Sequence, residues 1–91
     1  MSLKRDKLDI ICEILQRCVD GATKTSIVYK VNLNFRTVNP YLDLLMARGF
    51  LEMVPGSVKF YKTSPKGMKL LDELRSINAD LKEIAESELV P

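Results

Sequence analysis

The sequence predicts a mainly α-helical fold with one small β-hairpin, divided into a head at residues 1–64 and a long C-terminal helix at residues 65–91. Three observations carry that reading. Two short helical segments flank the turn Asn32-Leu33-Asn34, and two alternating apolar runs flank Pro55-Gly56-Ser57. Ser64-Pro65 then opens a segment in which Leu70, Leu74, Ile77, Leu81 and Ile84 recur at steps of four, three, four and three. Helical and strand periodicities alternate along the chain in the order helix, helix, helix, hairpin, helix.

The first helix is expected from about Lys7 to Val19. Asp6 and Asp9 have the spacing of a capping box, and Asp9, Glu13, Gln16, Arg17 and Asp20 recur at helical intervals. Leu8, Ile10, Ile11, Cys12, Ile14, Leu15, Cys18 and Val19 cover more than half the circumference, so this helix must be packed on more than one side. Gly21 is the stop signal, since glycine takes the left-handed conformation that ends a helix. Thr23 can cap a second helix through about Lys30, with Ile27, Val28 and Val31 turned inward. Asn34 can cap a third that runs to about Arg48, with Val38, Tyr41, Leu42 and Leu45 as its apolar stripe and Gly49 closing it. Pro40 complicates that helix, because its missing N–H leaves the carbonyl of Arg36 unpaired. Either the helix kinks there, or it begins at Asn39 with Pro40 at the first helical position, where proline is favoured.

Phe50, Leu51, Met53 and Val54 form one strand-like run, and Val58, Phe60 and Tyr61, interleaved with Lys59 and Lys62, form the other. A helix, a helix-turn-helix and a hairpin in this order make a winged-helix head. Ser64 as N-cap and Pro65 at the first helical position then start a helix of some 24 residues. At 1.5 Å per residue it is about 36 Å long, more than the head needs for its own packing. The repeat of Leu70, Leu74, Ile77, Leu81 and Ile84 is an a/d seam and makes these five residues the expected interface of a homodimer. For Leu70, Leu71 and Leu74 the head itself is an equally good cover. Leu81 and Ile84 call for self-association. Asn78, beside the seam, and Glu88, at its next position, limit the coil. A head this small is marginally stable alone, so pairing through the tail also supports folding.

Composition removes several function classes. A chain 46% hydrophobic and 29% charged is that of a folded, soluble domain. No eighteen-residue stretch lacks charge, and the opening Met-Ser-Leu-Lys-Arg-Asp has no apolar core, so neither a spanning helix nor a signal peptide is expected and the cytoplasm is the expected compartment. There is no histidine, and the two cysteines, Cys12 and Cys18, stand roughly 240° apart around one helix, where they cannot bridge. Reduced, buried thiols are expected, with no metal site, no cofactor, no effector pocket and no enzyme activity, since nothing nearby can activate a thiolate. The charge is unevenly spread. Residues 1–64 carry ten Lys or Arg against six Asp or Glu, a balance of +4, whereas residues 65–91 carry four against six, a balance of −2. A basic head on a mildly acidic tail points to an anionic partner for the head alone.

Five stretches, Lys7-Leu8-Asp9-Ile10-Ile11, Lys24-Thr25-Ser26-Ile27-Val28-Tyr29, Asn32-Leu33-Asn34-Phe35, Tyr41-Leu42-Asp43-Leu44-Leu45 and Lys66-Gly67-Met68-Lys69-Leu70-Leu71, together resemble the archaeal winged-helix regulators. Among these the chain is most similar to the small ten-kilodalton crenarchaeal DNA-binding proteins that dimerise through a C-terminal antiparallel coiled coil. The likeness covers nearly the whole chain. It departs from the family pattern at Pro40, where a helix former would be more usual, and in a tail that is short for the long coiled coil of the relatives.

The resemblance implies double-stranded DNA as the partner, in the role of a transcriptional regulator or a chromatin-type, nucleoid-associated protein. Affinity would then come mainly from phosphate neutralisation, and sequence reading from side chains of an inserted helix. On the third helix Arg36 suits a guanine edge or a phosphate, and Thr37 and Asn39 can donate or accept at base edges. Arg36 as a solvated surface charge is the plain alternative. Lys24, Thr25 and Ser26 occupy the first turn of the second helix, where free N–H groups and the helix dipole favour a phosphate, although simple capping by Thr23 or Thr25 explains them equally. Ser57 and Lys59 at the hairpin tip can reach the DNA backbone or minor groove, or belong to an ordinary turn. Lys4, Arg5 and Lys7 oppose the dipole of the first helix, a conflict that bound phosphate or a solvated N-terminus relieves. Tyr29, Phe35, Tyr41, Phe50, Phe60 and Tyr61 have core-compatible spacings, which leaves no need for stacking on single-stranded bases. An antiparallel pair of tail helices would set two heads near the 34 to 36 Å between half-sites one DNA turn apart. That orientation rests on the resemblance, since the seam alone does not choose. The competing reading is a winged helix used as a protein-interaction module in a larger assembly, with another chain on the seam.

Overall fold

The computed structural model describes residues 6–88. The elements are α1 (Lys7–Arg17), α2 (Lys24–Val31), α3 (Phe35–Ala47), β1 (Leu51–Val54), β2 (Phe60–Thr63) and α4 (Pro65–Glu88). Lys4 and Arg5 of the expected basic N-terminus, and residues 89–91 of the expected tail, lie outside the described residues.

The capping box at α1 forms in both directions, with the Asp9 N–H donating to Asp6 Oδ1 at 2.9 Å and the Asp6 N–H donating to Asp9 Oδ2 at 3.2 Å. The helix ends at Arg17 rather than Val19. Its next carbonyl, that of Cys18, accepts the N–H of Thr63 at 2.9 Å and that of Gly21 at 3.1 Å, so the hairpin and the turn take the acceptor that a further helical turn would have used. The Thr63 hydroxyl donates to the Leu15 carbonyl at 2.7 Å, a second buried tie from β2 to the end of α1. Gly21 has φ +93°, and Ala22 after it exchanges two backbone hydrogen bonds with Tyr61, at 2.8 and 2.9 Å, adding a single antiparallel bridge beside the hairpin. No alternating run announces a one-residue strand.

Thr23 caps α2, and Asn32 at φ +58° closes it in the left-handed conformation that asparagine tolerates. Asn34 caps α3 through its Oδ1, which accepts the Thr37 N–H at 2.8 Å. Of the two versions open from sequence, α3 therefore starts at Phe35 and carries Pro40 inside. Proline survives there because Arg36 and Pro40 lie on the solvent side, opposite buried Val38, Leu42 and Leu45, so water can satisfy the carbonyl that loses its partner.

β1 and β2 pair antiparallel, Leu51 with Thr63 and Val54 with Phe60. The second strand begins at Phe60, which leaves Val58 and Lys59, expected within it, in the connecting loop. The core is aliphatic: Ile14, Leu15, Ile27, Val31, Val38, Leu42, Leu51 and Leu71 fill it. Of the six aromatics expected at core positions only Tyr61 is buried, while Tyr41 and Phe50 are half-buried. Phe35, Phe60 and Tyr29 are exposed, Tyr29 by 83%. Tyr29 stands two residues from both Ile27 and Val31, about 200° from each around α2, so a helix that buries those two must turn Tyr29 to solvent.

α4 is fastened to the head by its first turn. The Ser64 hydroxyl accepts the Gly67 N–H at 3.0 Å and donates to the Gly49 carbonyl, and the Ser64 N–H donates to the Phe50 carbonyl at 3.0 Å. Lys66 reaches back to the Arg48 carbonyl at 2.8 Å and lies 4.7 Å from the centre of the Phe50 ring. Leu71 is fully buried and Leu70 is half-buried against the same core. Beyond them α4 leaves the head, and Ile77, Leu81 and Ile84 are 54%, 60% and 55% exposed. The projecting helix gives the molecule a long axis of 54 Å against 29 and 19 Å.

Candidate nucleic-acid interface

The short turn Asn32–Asn34 sets α3 beside α2 with its outer face in solvent. Val38, Leu42 and Leu45 face the core, so at roughly 100° per residue the opposite side holds Arg36, Pro40, Asp43, Leu44 and Ala47, with Thr37 at its edge. All six are exposed. Asn39, expected to work with Arg36 and Thr37, sits on the flank and is half-buried. Asp43 is one heptad beyond Arg36 on the same side, so the outward face carries one positive and one negative charge.

Arg36 and Thr37 come together with Lys7 from α1, Pro40, Tyr41 and Leu44 around a shallow groove of about 320 Å³. Lys7 was grouped in the sequence with the N-terminal cations, and the fold places it on the rim of the third helix. Its position one residue after the Asp6 cap was legible, but its neighbour on another helix was not.

At α2 the Thr23 hydroxyl accepts the Ser26 N–H at 3.1 Å, so the capping account of this turn holds in the geometry. The amides of Lys24 and Thr25 remain at the positive end of the helix dipole, with Thr25 exposed and Lys24 and Ser26 half-buried. Ser57 and Lys59 are exposed at the hairpin tip, and Lys62 on β2 stands across from Glu52. The ion pair found among the described residues, Arg75 with Asp72 at 4.0 Å, lies on α4. Lys7, Lys24, Arg36 and Lys59 are thus not engaged by a described carboxylate.

A second groove, about 340 Å³, runs between the start of α1 and the middle of α4. Leu8, Cys12 and Leu74 line it together with Asp6, Asp9 and Glu13, so its rim is acidic and unlike the α3 groove. Cys18 is fully buried, and burial pushes its thiol up to about 12. Cys12 is half-buried and, like Cys18, free. Among the described residues no group of His, Cys, Asp and Glu can hold a metal ion, and no helix is long and apolar enough to cross a membrane.

A sequence profile for the winged helix-turn-helix family matches residues 4–82. The chain belongs to that family. Within the winged-helix fold it is similar to Sso10a-2, a DNA-binding protein from Sulfolobus solfataricus, with 26% identity, a TM-score of 0.71, and coverage of 96% of this chain and 98% of the other. A Lactococcus lactis ZitR variant shares the fold alone, at 12% identity and a TM-score of 0.67 over 94% of this chain and 67% of that one. Two uncharacterised proteins of Methanocaldococcus jannaschii are related in sequence. One is 35% identical over 77 residues, 84% of this chain, and the other 38% identical over 50 residues, 54% of this chain. The chain spans 35% and 52% of the length of those two.

Proposed function

We propose that this winged helix binds double-stranded DNA as a homodimer, as a transcriptional regulator or chromatin-type protein of the cytoplasmic nucleoid, without cofactor or catalytic step. The carrying observation is the exposed α3 face that bears Arg36 and Thr37, with Lys7 on the rim of its groove and Lys24 and Lys59 elsewhere on the head, cations that no described carboxylate pairs with. A DNA-binding protein of the same fold at nearly full mutual coverage supports the assignment. In this reading α3 enters the major groove, Lys24, Thr25 and Ser26 meet a phosphate at the start of α2, and Ser57 and Lys59 on the wing touch the backbone alongside. A thiol enzyme has no support from Cys18, whose buried thiol stays protonated at neutral pH.

The dimer uses the exposed stripe of Ile77, Leu81 and Ile84, with Leu74 and Leu70 at its head end. Leu74 and Leu81 take the a positions and Ile77 and Ile84 the d positions, an order that in parallel coils shifts preference away from two strands. The antiparallel orientation that the family resemblance implies pairs Leu74 with Ile84 and Ile77 with Leu81 across the axis. On 1.5 Å per residue about a centre at Ala79, the two heads attach about 27 to 42 Å apart, a range that contains the 34 to 36 Å of half-sites one turn apart.

The test is a titration of a random-sequence duplex at 50 and 200 mM salt. Lys7, Lys24, Arg36, Lys59 and Lys62 on each head, ten cations per dimer, should cost about 10³ or more in affinity over that range. A loss below tenfold, or an Arg36→Ala variant that binds as well as the parent, contradicts phosphate-driven docking through α3. Leu81→Asp should sediment as a monomer; a persistent dimer moves the interface to the head.

A further inference from the structure

The outward face of α3 has a composition that phosphate binding does not account for. Along it Arg36, Pro40 and Leu44 follow one another at four-residue steps, about 40° apart around the axis and about 6 Å apart along it. They form a strip about 12 Å long that spans three to four base-pair steps at the duplex rise of 3.4 Å. Beyond Arg36 the strip is apolar. Leu44 is 49% exposed although its neighbour Leu45 is buried in the core, and Pro40 beside it is exposed as well. Thr37 flanks the strip and adds a methyl group. The face as a whole is neutral, because Asp43 offsets Arg36 and repels phosphate, while Lys7 stands on the rim of its groove. A neutral apolar strip with Arg36 at one end and Lys7 on its rim is complementary to a major groove, where phosphates bound the groove and the apolar feature of its floor is the thymine C5-methyl group.

We propose that Pro40, Leu44 and the Thr37 methyl read thymine methyl groups in the major groove, so that this winged helix selects duplex sites by the position of thymine. The inference rests on the DNA-binding reading above and adds the chemical group that α3 recognises. Arg36 sets one end of the contact at a guanine edge or phosphate. Asp43, on the same face, accepts from cytosine N4 and disfavours displacement of the helix toward the backbone. Each contacted methyl is expected to change affinity by about fourfold, from the transfer of one methyl-sized group out of water.

The experiment compares one duplex in four forms by fluorescence anisotropy at fixed salt: with thymine, with every thymine replaced by deoxyuridine, with G·C pairs in place of the A·T pairs, and with those cytosines as 5-methylcytosine. Uracil keeps every hydrogen-bonding edge and lacks only the methyl. The parent protein should bind the uracil form about fourfold more weakly for each methyl contacted, and 5-methylation should strengthen the G·C form. Leu44→Ala, checked for fold by circular dichroism, should lower the thymine-to-uracil ratio by about fourfold, the share of the one methyl it contacts, while the salt dependence stays as in the parent. Equal affinity of the parent for the thymine and uracil forms overturns the inference and leaves DNA binding standing; the strip then serves another surface, such as a protein partner. A ratio that Leu44→Ala leaves unchanged also overturns it. Failure to bind any of the four duplexes overturns the DNA-binding reading itself and this inference with it.

Discussion

Gly67 is the position at which one methyl group should do most damage. It is the third residue of α4, and a Cβ placed on it would lie 2.2 Å from the Phe50 carbonyl oxygen and 2.7 Å from Thr63 Cγ2. The first of these atoms is backbone. It also accepts the Ser64 N–H at 3.0 Å, so it cannot turn away without losing the bond that starts α4. Relieving the overlap takes a retreat of about 1 Å by the helix, and overpacking of this kind costs about 1 to 3 kcal/mol, here at the upper end because backbone meets backbone. Loss of the Ser64 bond adds about 1 kcal/mol. Alanine recovers about 1 kcal/mol through its better helix propensity. Gly67→Ala is therefore expected to destabilise the protein by about 3 kcal/mol, lowering the melting temperature by roughly 12 to 24 °C for a domain of this size. The assay is thermal and urea denaturation followed by circular dichroism at one fixed protomer concentration, which the proposed dimer would require. Gly56→Ala is the control. Its Cβ would meet only the Val58 carbonyl at 3.5 Å, an ordinary contact, and a change within about 0.5 kcal/mol is expected. A Gly67→Ala variant as stable as the parent would show that α4 does not approach Phe50 so closely, and the rigid joint between head and tail would fall with it.

Three further outcomes follow from the same geometry. Pro40→Ala restores an N–H to the Arg36 carbonyl inside α3 and should stabilise the head by about 2 kcal/mol in urea denaturation, since an interior proline costs about 3 and its stiffening of the unfolded chain returns up to about 1. The Cys18 thiol, raised from 9.0 to about 12 by burial, favours the fold fully below pH 9, and that advantage should disappear as pH climbs toward 12; Cys18→Ala should flatten the parent's decline over that window in pH-dependent denaturation. In a Cys12→Ser background, Asn78→Cys should form a disulfide across the dimer and Ser87→Cys should not, because antiparallel pairing centred at Ala79 separates the two copies of residue 87 by about 24 Å along the axis and those of residue 78 by about 3 Å. Cross-linking at both positions on non-reducing gels would mean a parallel coil, in which every residue lies level with its own copy.

Most of the fold was legible because its boundaries are set by local chemistry. Asp6, Thr23, Asn34 and Ser64 each accept a hydrogen bond from the amide three residues on, and each is a residue type whose short side chain does this best. What was not legible is what one element does to another. The end of α1 is decided by the Thr63 N–H arriving from β2, 45 residues later. Pro40 argued locally for a late start to α3, and the cap at Asn34 together with a solvent-facing carbonyl outweighed it. Tyr29 is a case in which the signal existed: the angle from Ile27 and Val31 already turned it outward, and aromatic character alone was a poor guide to burial. For the candidate site, Arg36 and Thr37 followed from their place at the start of α3, but the groove with Lys7 depends on the packing of α1 beside α3, which no spacing encodes.

The charges and the reading face are held by different elements, and this separates two properties that a single basic helix would merge. In the proposed complex, cations on α1, α2 and the wing would act on the phosphates of any sequence, so their removal should weaken all duplexes alike and lower the salt slope. A neutral α3 face adds little to that background, and a contact made there is felt as a difference between sequences. In the proposed dimer, with few cations per head, one head alone would bind weakly, and useful affinity would come from docking the second head at an effective concentration set by α4. That gain exists only if the heads keep a fixed spacing, which requires α4 to leave the head in one direction. Ser64, Lys66 and the close approach at Gly67 impose that direction, so in the proposed dimer this joint, far from α3, would govern how strongly the pair of heads can bind.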